Sequence, residues 1–292
     1  MSTFIYQTLR SLGKPAEGYP FNSSPHFVEG TKQIKVDSNG LRIFDHIKDS
    51  THLVLAGGSN MLGWGLKPEQ TIANQLFNLE EFKRTKIISY AYPGWGPNNL
   101  LAKFHQLDNI DFEKLEQGSF IYLFHDIHFE RVCGSPYYFK WSSGMAPYFS
   151  LKENKLLNEG LYSTSWIFHK EIMRIFIDRI NEILKIIPIA RLSTDMNVNF
   201  SEWCQELFIA HIVSLKSSYY KKFPKGRFII LGYFELENIE FLRKLKKKDI
   251  EYFSIQKMTT IQRKDPKYFF SDGHFNELSA LEISQLINKI LM

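Results

Sequence analysis

Five short apolar runs, separated by segments of helical pattern, most constrain what this chain can fold into. They lie at 52–57 (HLVLAG), 86–90 (KIISY), 119–124 (SFIYLF), 227–233 (RFIILGY) and, more briefly, near 250–254. Runs of this length without polar alternation read as strands buried on both faces. Helical periodicity fills the intervals, at about 68–80 with Ile72, Leu76 and Leu79 on one face, and at about 98–107, 167–186 and 200–221. A last helix at about 276–291 places Ile283, Leu286, Ile287 and Ile290 at i, i+3, i+4 and i+7. Strands alternating with helices indicate βαβ units, hence an α/β fold whose parallel sheet is covered on both faces.

The chain of 292 residues carries 36 Lys+Arg against 31 Asp+Glu, and its 44% hydrophobic share excludes a disordered or fibrous class. A net charge of +5 does not call for nucleic acid. The densest basic stretch, RKLKKK at 243–248, reads as the solvated face of a helix following the fourth strand. No apolar run approaches the length of a membrane span, and the N-terminal residues lack the apolar core of a signal peptide. A cytoplasmic location is the resulting default. Cys133 and Cys204 lack zinc-site spacing and cannot make a disulfide framework, so both are expected to act as small buried apolar residues. The expected organisation is an N-terminal extension over 1–50 packing on a single domain over 51–292, with an irregular, aromatic-rich insertion at about 132–166. Aromatic residues make up 15% of the chain, including 25 Phe and 14 Tyr. Composition leaves open whether they fill a core or line a site.

Parallel α/β sheets place their sites in loops beyond the carboxyl ends of the strands. That rule selects 57–64, 92–99, 124–131 and 268–276. The first loop, Gly57-Gly58-Ser59-Asn60, presents a serine after two glycines. It lacks the lysine of a phosphate-binding P-loop, and taken alone a structural turn fits it as well as a nucleophile. The last loop holds Asp272-Gly273-His274 followed by Asn276. This could be a base oriented by a carboxylate, or a helix entry capped by Asn276.

Taken together, a serine at the end of the first strand and a D-x-H-x-N before the last helix resemble the SGNH (GDSL-type) hydrolases. Gly58-Ser59-Asn60 matches the family's first block, with Gly58 where GDS has aspartate. Leu62-Gly63-Trp64-Gly65 looks like the continuation of bacterial members. Tyr92-Pro93-Gly94-Trp95-Gly96 stands in the place of the second block, with Gly94 as the match to its glycine donor. The resemblance covers roughly 50–130 and 265–292. It implies a flavodoxin-like three-layer α/β/α fold and no cofactor or metal. Its implied triad is Ser59, His274 and Asp272, with an oxyanion hole formed by the N–H groups of Ser59 and Gly94.

Two departures accompany the resemblance. The family's third block supplies an asparagine, whereas here the third strand runs into Phe124-His125-Asp126-Ile127-His128-Phe129-Glu130-Arg131. His128 or His125 could donate in its stead, and the overlay favours His128; the alternatives are surface ion pairs among Asp126, Glu130 and Arg131, or a metal site. The acid also stands two residues before the histidine rather than three. The implied activity is serine esterase or deacylase on an O-acyl ester, expected to be O-acetyl, with a small-molecule or glycan substrate. Asn60, Trp95, His125 and Trp141 are expected to contact that substrate. An O-acyltransferase using the same triad, or an inactive binding protein on the same fold, are the competing expectations.

Overall fold

The computed structural model describes residues 51–106, 117–134, 138, 142, 146–153, 155–162, 202–233, 239–262 and 265–292. In chain order these form β1 (Thr51–Gly57), α1 (Ser59–Leu62), α2 (Ile72–Phe77), β2 (Thr85–Ala91), α3 (Pro97–Gln106), β3 (Gln117–Phe124) and α4 (Ile127–Cys133). There follow β4 (Pro147–Lys152), β5 (Lys155–Leu161), α5 (Glu202–Lys222), β6 (Arg227–Gly232), α6 (Ile239–Lys247), β7 (Glu251–Ser254), α7 (Ile255–Met258) and α8 (Glu277–Leu291). The N-terminal extension and the helix expected at 167–186 lie outside the described residues.

All five expected strands form, and they pair in parallel in the order β2-β1-β3-β6-β7. Counted within the sheet this is 2-1-3-4-5, the flavodoxin-like winding. The strand pleat sorts side chains to two faces. Leu53, Leu55, Ile87, Ile121, Leu123, Ile229 and Leu231 pack with α1, α2 and α8. Val54, Ala56, Tyr90, Phe120, Tyr122, Phe124, Phe228 and Ile230 pack with α3, α4, α5 and α6. The result is the three-layer α/β/α arrangement.

The two faces divide the aromatic excess unequally. The first is mainly aliphatic along the strands, while the second stacks Phe120 on Phe228 at 4.9 Å and sets Phe208 against both Phe124 (4.9 Å) and Phe129 (5.1 Å). Offset and edge-to-face pairs at such separations add to the burial of the rings themselves. This aromatic layer reaches the carboxyl end of β3, so the loop that follows starts from a rigid base.

Three expectations need correcting. The stretch 68–80 is not one helix: Pro68–Gln70 is a 3-10 turn, Thr71 is extended (ψ 154°), and its side chain then accepts from Asn74 N–H to cap α2. The insertion at 132–166 is not irregular throughout, because β4 and β5 pair as an antiparallel hairpin. Cys133 and Cys204 are not two separate apolar residues; they are bonded to each other, 71 residues apart, with Cα atoms 5.5 Å apart. The end of α4 and the start of α5 meet there, which no local spacing could announce. Among the described residues no helix is long and apolar enough to cross a membrane.

Candidate active site

β1 ends at Gly57, whose φ of 154° favours glycine and where a Cβ would meet Leu123 O at 3.2 Å and Met61 Cβ at 3.3 Å. The sharp exit leads through Gly58 into α1, which begins at Ser59. Ser59 Oγ lies 2.8 Å from His274 Nε2, across 215 residues of sequence. The two loops are tied again by the neighbouring residue, since Asn60 Oδ1 accepts from Phe275 N–H at 3.0 Å. Trp64, buried, stands with its ring 6.0 Å from that of His274.

The last loop is a tight reversal. His274 O accepts from Phe270 N–H at 2.8 Å, Phe270 O accepts from Gly273 N–H at 2.9 Å, and Phe269 bridges Phe275. Asp272, two residues before His274, makes two approaches to it. Its Oδ1 accepts from the His274 main-chain N–H at 3.1 Å, an Asx-turn, and its Oδ2 lies 3.0 Å from His274 Nδ1. The second contact has the distance of a hydrogen bond but falls short of its alignment, and Nδ1 is shut off from solvent. Asn276 has the capping role that the sequence allowed, its Oδ1 accepting from Leu278 and Ser279 N–H at the start of α8.

The second loop also reaches the first. Tyr92 N–H donates to Gly57 O at 3.2 Å, and Trp95 N–H donates to Tyr92 O at 3.0 Å, closing a turn over Pro93 and Gly94. Gly94 has φ 76°, the conformation a type II turn requires at its third residue.

The third loop brings His128. Its Nδ1 receives the His125 main-chain N–H at 3.3 Å and lies 2.5 Å from Tyr122 Oη. A backbone N–H can only donate, so Nδ1 accepts and the ring proton belongs on Nε2. That Nε2 points to the first loop, 3.6 Å from where a Cβ would stand on Gly58. His128 is 2% exposed, and its pKa is pushed well below the usual imidazole value, by burial first and then by the charges of Arg131 and His125. Burial also pushes the Tyr122 phenol well above its usual value, which keeps it protonated and able to donate to Nδ1. The ring is therefore a neutral, oriented N–H donor.

Of the residues expected to contact substrate, Asn60 accepts from Phe275 N–H through Oδ1, and the Trp95 side chain is buried against Tyr92 in the aromatic layer. His125 Nδ1 faces Asp126 Oδ1 at 2.5 Å and Ile127 N–H at 3.2 Å, with its ring against Tyr233. Trp141 lies outside the described residues. Among the described residues no three His, Cys, Asp or Glu side chains converge as metal ligands. Of the insertion's rings, Tyr138, Tyr148, Phe149 and Tyr162 are all buried, and Tyr162 Oη donates to Val132 O at 2.9 Å; these four pin the insertion to the body. Trp64, expected only as part of the first block's continuation, stands near the His274 ring, Tyr122 reaches His128 Nδ1, and Arg131 was expected only in surface ion pairs. Arg131 Nη1 in fact donates to Trp95 O at 2.5 Å.

No family profile and no curated protein matches the chain. Solved structures with some likeness include an acetyl xylan esterase, Est2A, from the rumen bacterium Butyrivibrio proteoclasticus, at 11% identity and a TM-score of 0.46 over 86% of this chain and 65% of that one. A lipase/acylhydrolase from Enterococcus faecalis matches at 10% identity and a TM-score of 0.41, covering 82% and 95%. An esterase, EstA, from Pseudoalteromonas sp. matches at 11% and 0.40, covering 83% and 99%. At this level of identity none of them assigns a role to a residue of this chain.

Proposed function

We propose that this chain is a serine esterase of SGNH type that cleaves a small O-acyl ester through an acyl-enzyme. The observation that carries the reading is the 2.8 Å approach of Ser59 Oγ to His274 Nε2, with Asp272 Oδ2 3.0 Å from Nδ1 of the same ring. A carboxylate at Nδ1 favours the proton there, which leaves Nε2 as the acceptor for the Ser59 hydroxyl. Ser59 then attacks the ester carbonyl as its proton passes to His274 Nε2. Asp272 stabilises the imidazolium, and the imidazolium returns the proton to the leaving alkoxide. Water, activated by the same nitrogen, releases the acyl group. The N–H groups of Ser59 and Gly94 and the Nε2–H of His128 are the donors assigned to the oxyanion, His128 standing in for the asparagine of the family pattern.

The test is Ser59→Ala on p-nitrophenyl acetate. Removing an activated nucleophile lowers kcat by about 10⁴-fold or more, and the wild-type chain should be labelled at Ser59 by a fluorophosphonate. Unchanged turnover in Ser59→Ala, or a wild-type serine that no fluorophosphonate reaches, overturns the reading.

A further inference from the structure

The residue before the nucleophile is a further place where this chain departs from the SGNH pattern, and the structure shows what stands beside it. Gly58 has φ −92° and ψ −155°, extended backbone open to any residue. Sterically a side chain would also be admitted. A Cβ would come to 3.2 Å from Arg131 Nη1, the end of a flexible chain, 3.5 Å from Trp95 O and 3.6 Å from His128 Nε2. What an aspartate would meet at this position is a guanidinium.

Arg131 is placed there by its helix. It follows His128 by three residues on α4, so the two side chains leave the same face. Its stem passes over Gly96, where a Cβ would stand 2.9 Å from Arg131 Cβ, so the arginine's path depends on that glycine. Its head donates to Trp95 O at 2.5 Å, the carbonyl one residue beyond Gly94. One side chain thus lies beside the residue before the nucleophile, holds the turn carrying Gly94, and shares a helix face with His128.

We propose that Arg131 is the positioning residue of the oxyanion site. It holds the Trp95 carbonyl, and with it the Gly94 turn, and sets a positive charge beside Gly58 where the family pattern sets a negative one. A carbonyl dipole left to swing toward a developing anion would oppose it; tied to a guanidinium, it does not. The inference rests on the esterase reading and adds to it a residue that Ser59, His274 and Asp272 do not require.

The experiment measures kcat and KM for p-nitrophenyl acetate in Arg131→Ala, Arg131→Lys, Gly58→Asn and Gly58→Asp. Arg131→Ala should lose kcat by roughly 10- to 100-fold with KM nearly constant, less than the ~10²–10³-fold lost with a direct oxyanion donor. Added guanidinium, below denaturing concentration, should restore part of the loss in Arg131→Ala and none in Gly58→Asp, and Arg131→Lys should fall between wild type and alanine. Gly58→Asp should lose roughly tenfold more than the similarly sized Gly58→Asn, because only the former carries a charge to the guanidinium. Arg131→Ala within twofold of wild type, or equal losses in Gly58→Asn and Gly58→Asp without rescue by guanidinium, overturns the proposal. The Gly58 pair decides the matter if Arg131→Ala does not fold. Wild-type enzyme labelled at Ser59 alongside an indifferent Arg131→Ala leaves the esterase reading standing and removes only this one; an inert wild-type chain removes both.

Discussion

The side chains of His274 and Asp272 are 26% and 41% exposed and sit on a loop held mainly by its own turns and by Asn60, whereas His128 is 2% exposed and rooted in the aromatic layer. One side of the candidate site is partly open to solvent; the other is buried. Proton transfer needs a base that changes charge, and partial exposure lets solvent ease that change. An oxyanion donor needs the opposite, a dipole fixed in advance so that no reorganisation is spent when charge develops. His128 meets that need, with Nδ1 held by His125 N–H and Tyr122 and Nε2 left to donate.

The sharpest way to break this contrast is at His128. His128→Ala should lower kcat by roughly 10²–10³-fold, the usual loss for one oxyanion donor. His128→Gln can bring an amide nitrogen near the position of Nε2 and should recover part of the loss. The pH profile separates the two sides further. Because burial and the Arg131 charge hold the His128 pKa well below the usual imidazole value, lowering the pH does not protonate it until far below that value. The acid limb of kcat/KM should therefore keep its position in His128→Gln. A limb that moves with the substitution would mean that His128 itself titrates in catalysis, and the contrast would fail.

Asp272 is expected to matter less. Replacing a buried, well-aligned triad carboxylate by its amide costs about 10⁴-fold in kcat. Here the carboxylate is exposed and its approach to Nδ1 is imperfectly aligned, while its other oxygen holds the main-chain N–H of His274. Asp272→Asn keeps an acceptor for that N–H, so the loop persists and the loss should be nearer ~10²-fold, by the weaker coupling of solvent-exposed charges. A loss of the full triad size would show that the exposed side is as preorganised as the buried one.

The same contrast explains what could be read in advance. β1, β3 and β6 are covered on both faces, so their residues appear as unbroken apolar runs and all were foreseen. Ser59, Asp272 and His274 belong to short motifs whose neighbours in sequence are neighbours in space. The β4–β5 hairpin escaped because β5 is largely exposed, with little apolar alternation to betray it. The bond between Cys133 and Cys204, and the hydrogen bond from Arg131 to Trp95 36 residues away, are products of the winding and have no local signature. Gly58 read as a missing aspartate; only the fold shows the cation beside it.

The smallest expected effect belongs to Asn60, and it tests whether the exposed side owes its geometry to one tie. Asn60 stands next to Ser59 and its Oδ1 accepts from the N–H of Phe275, next to His274, so this hydrogen bond ties the loop of Ser59 to the loop of His274. Phe275 is itself anchored, buried edge-on to Tyr233 at 4.7 Å. Asn60→Ala removes the acceptor and leaves a part-buried N–H without it, a loss of about 1–3 kcal/mol in stability. Since Phe275 remains packed, His274 should move little and kcat should fall only a few-fold, with KM unchanged if Asn60 does not touch substrate. Asn60→Asp keeps the acceptor oxygen and should hold both stability and kcat closer to wild type. A rise in KM in Asn60→Ala that dwarfs the change in kcat would return Asn60 to the substrate, and the register of Ser59 and His274 would then depend on the packing of Phe275 and Trp64.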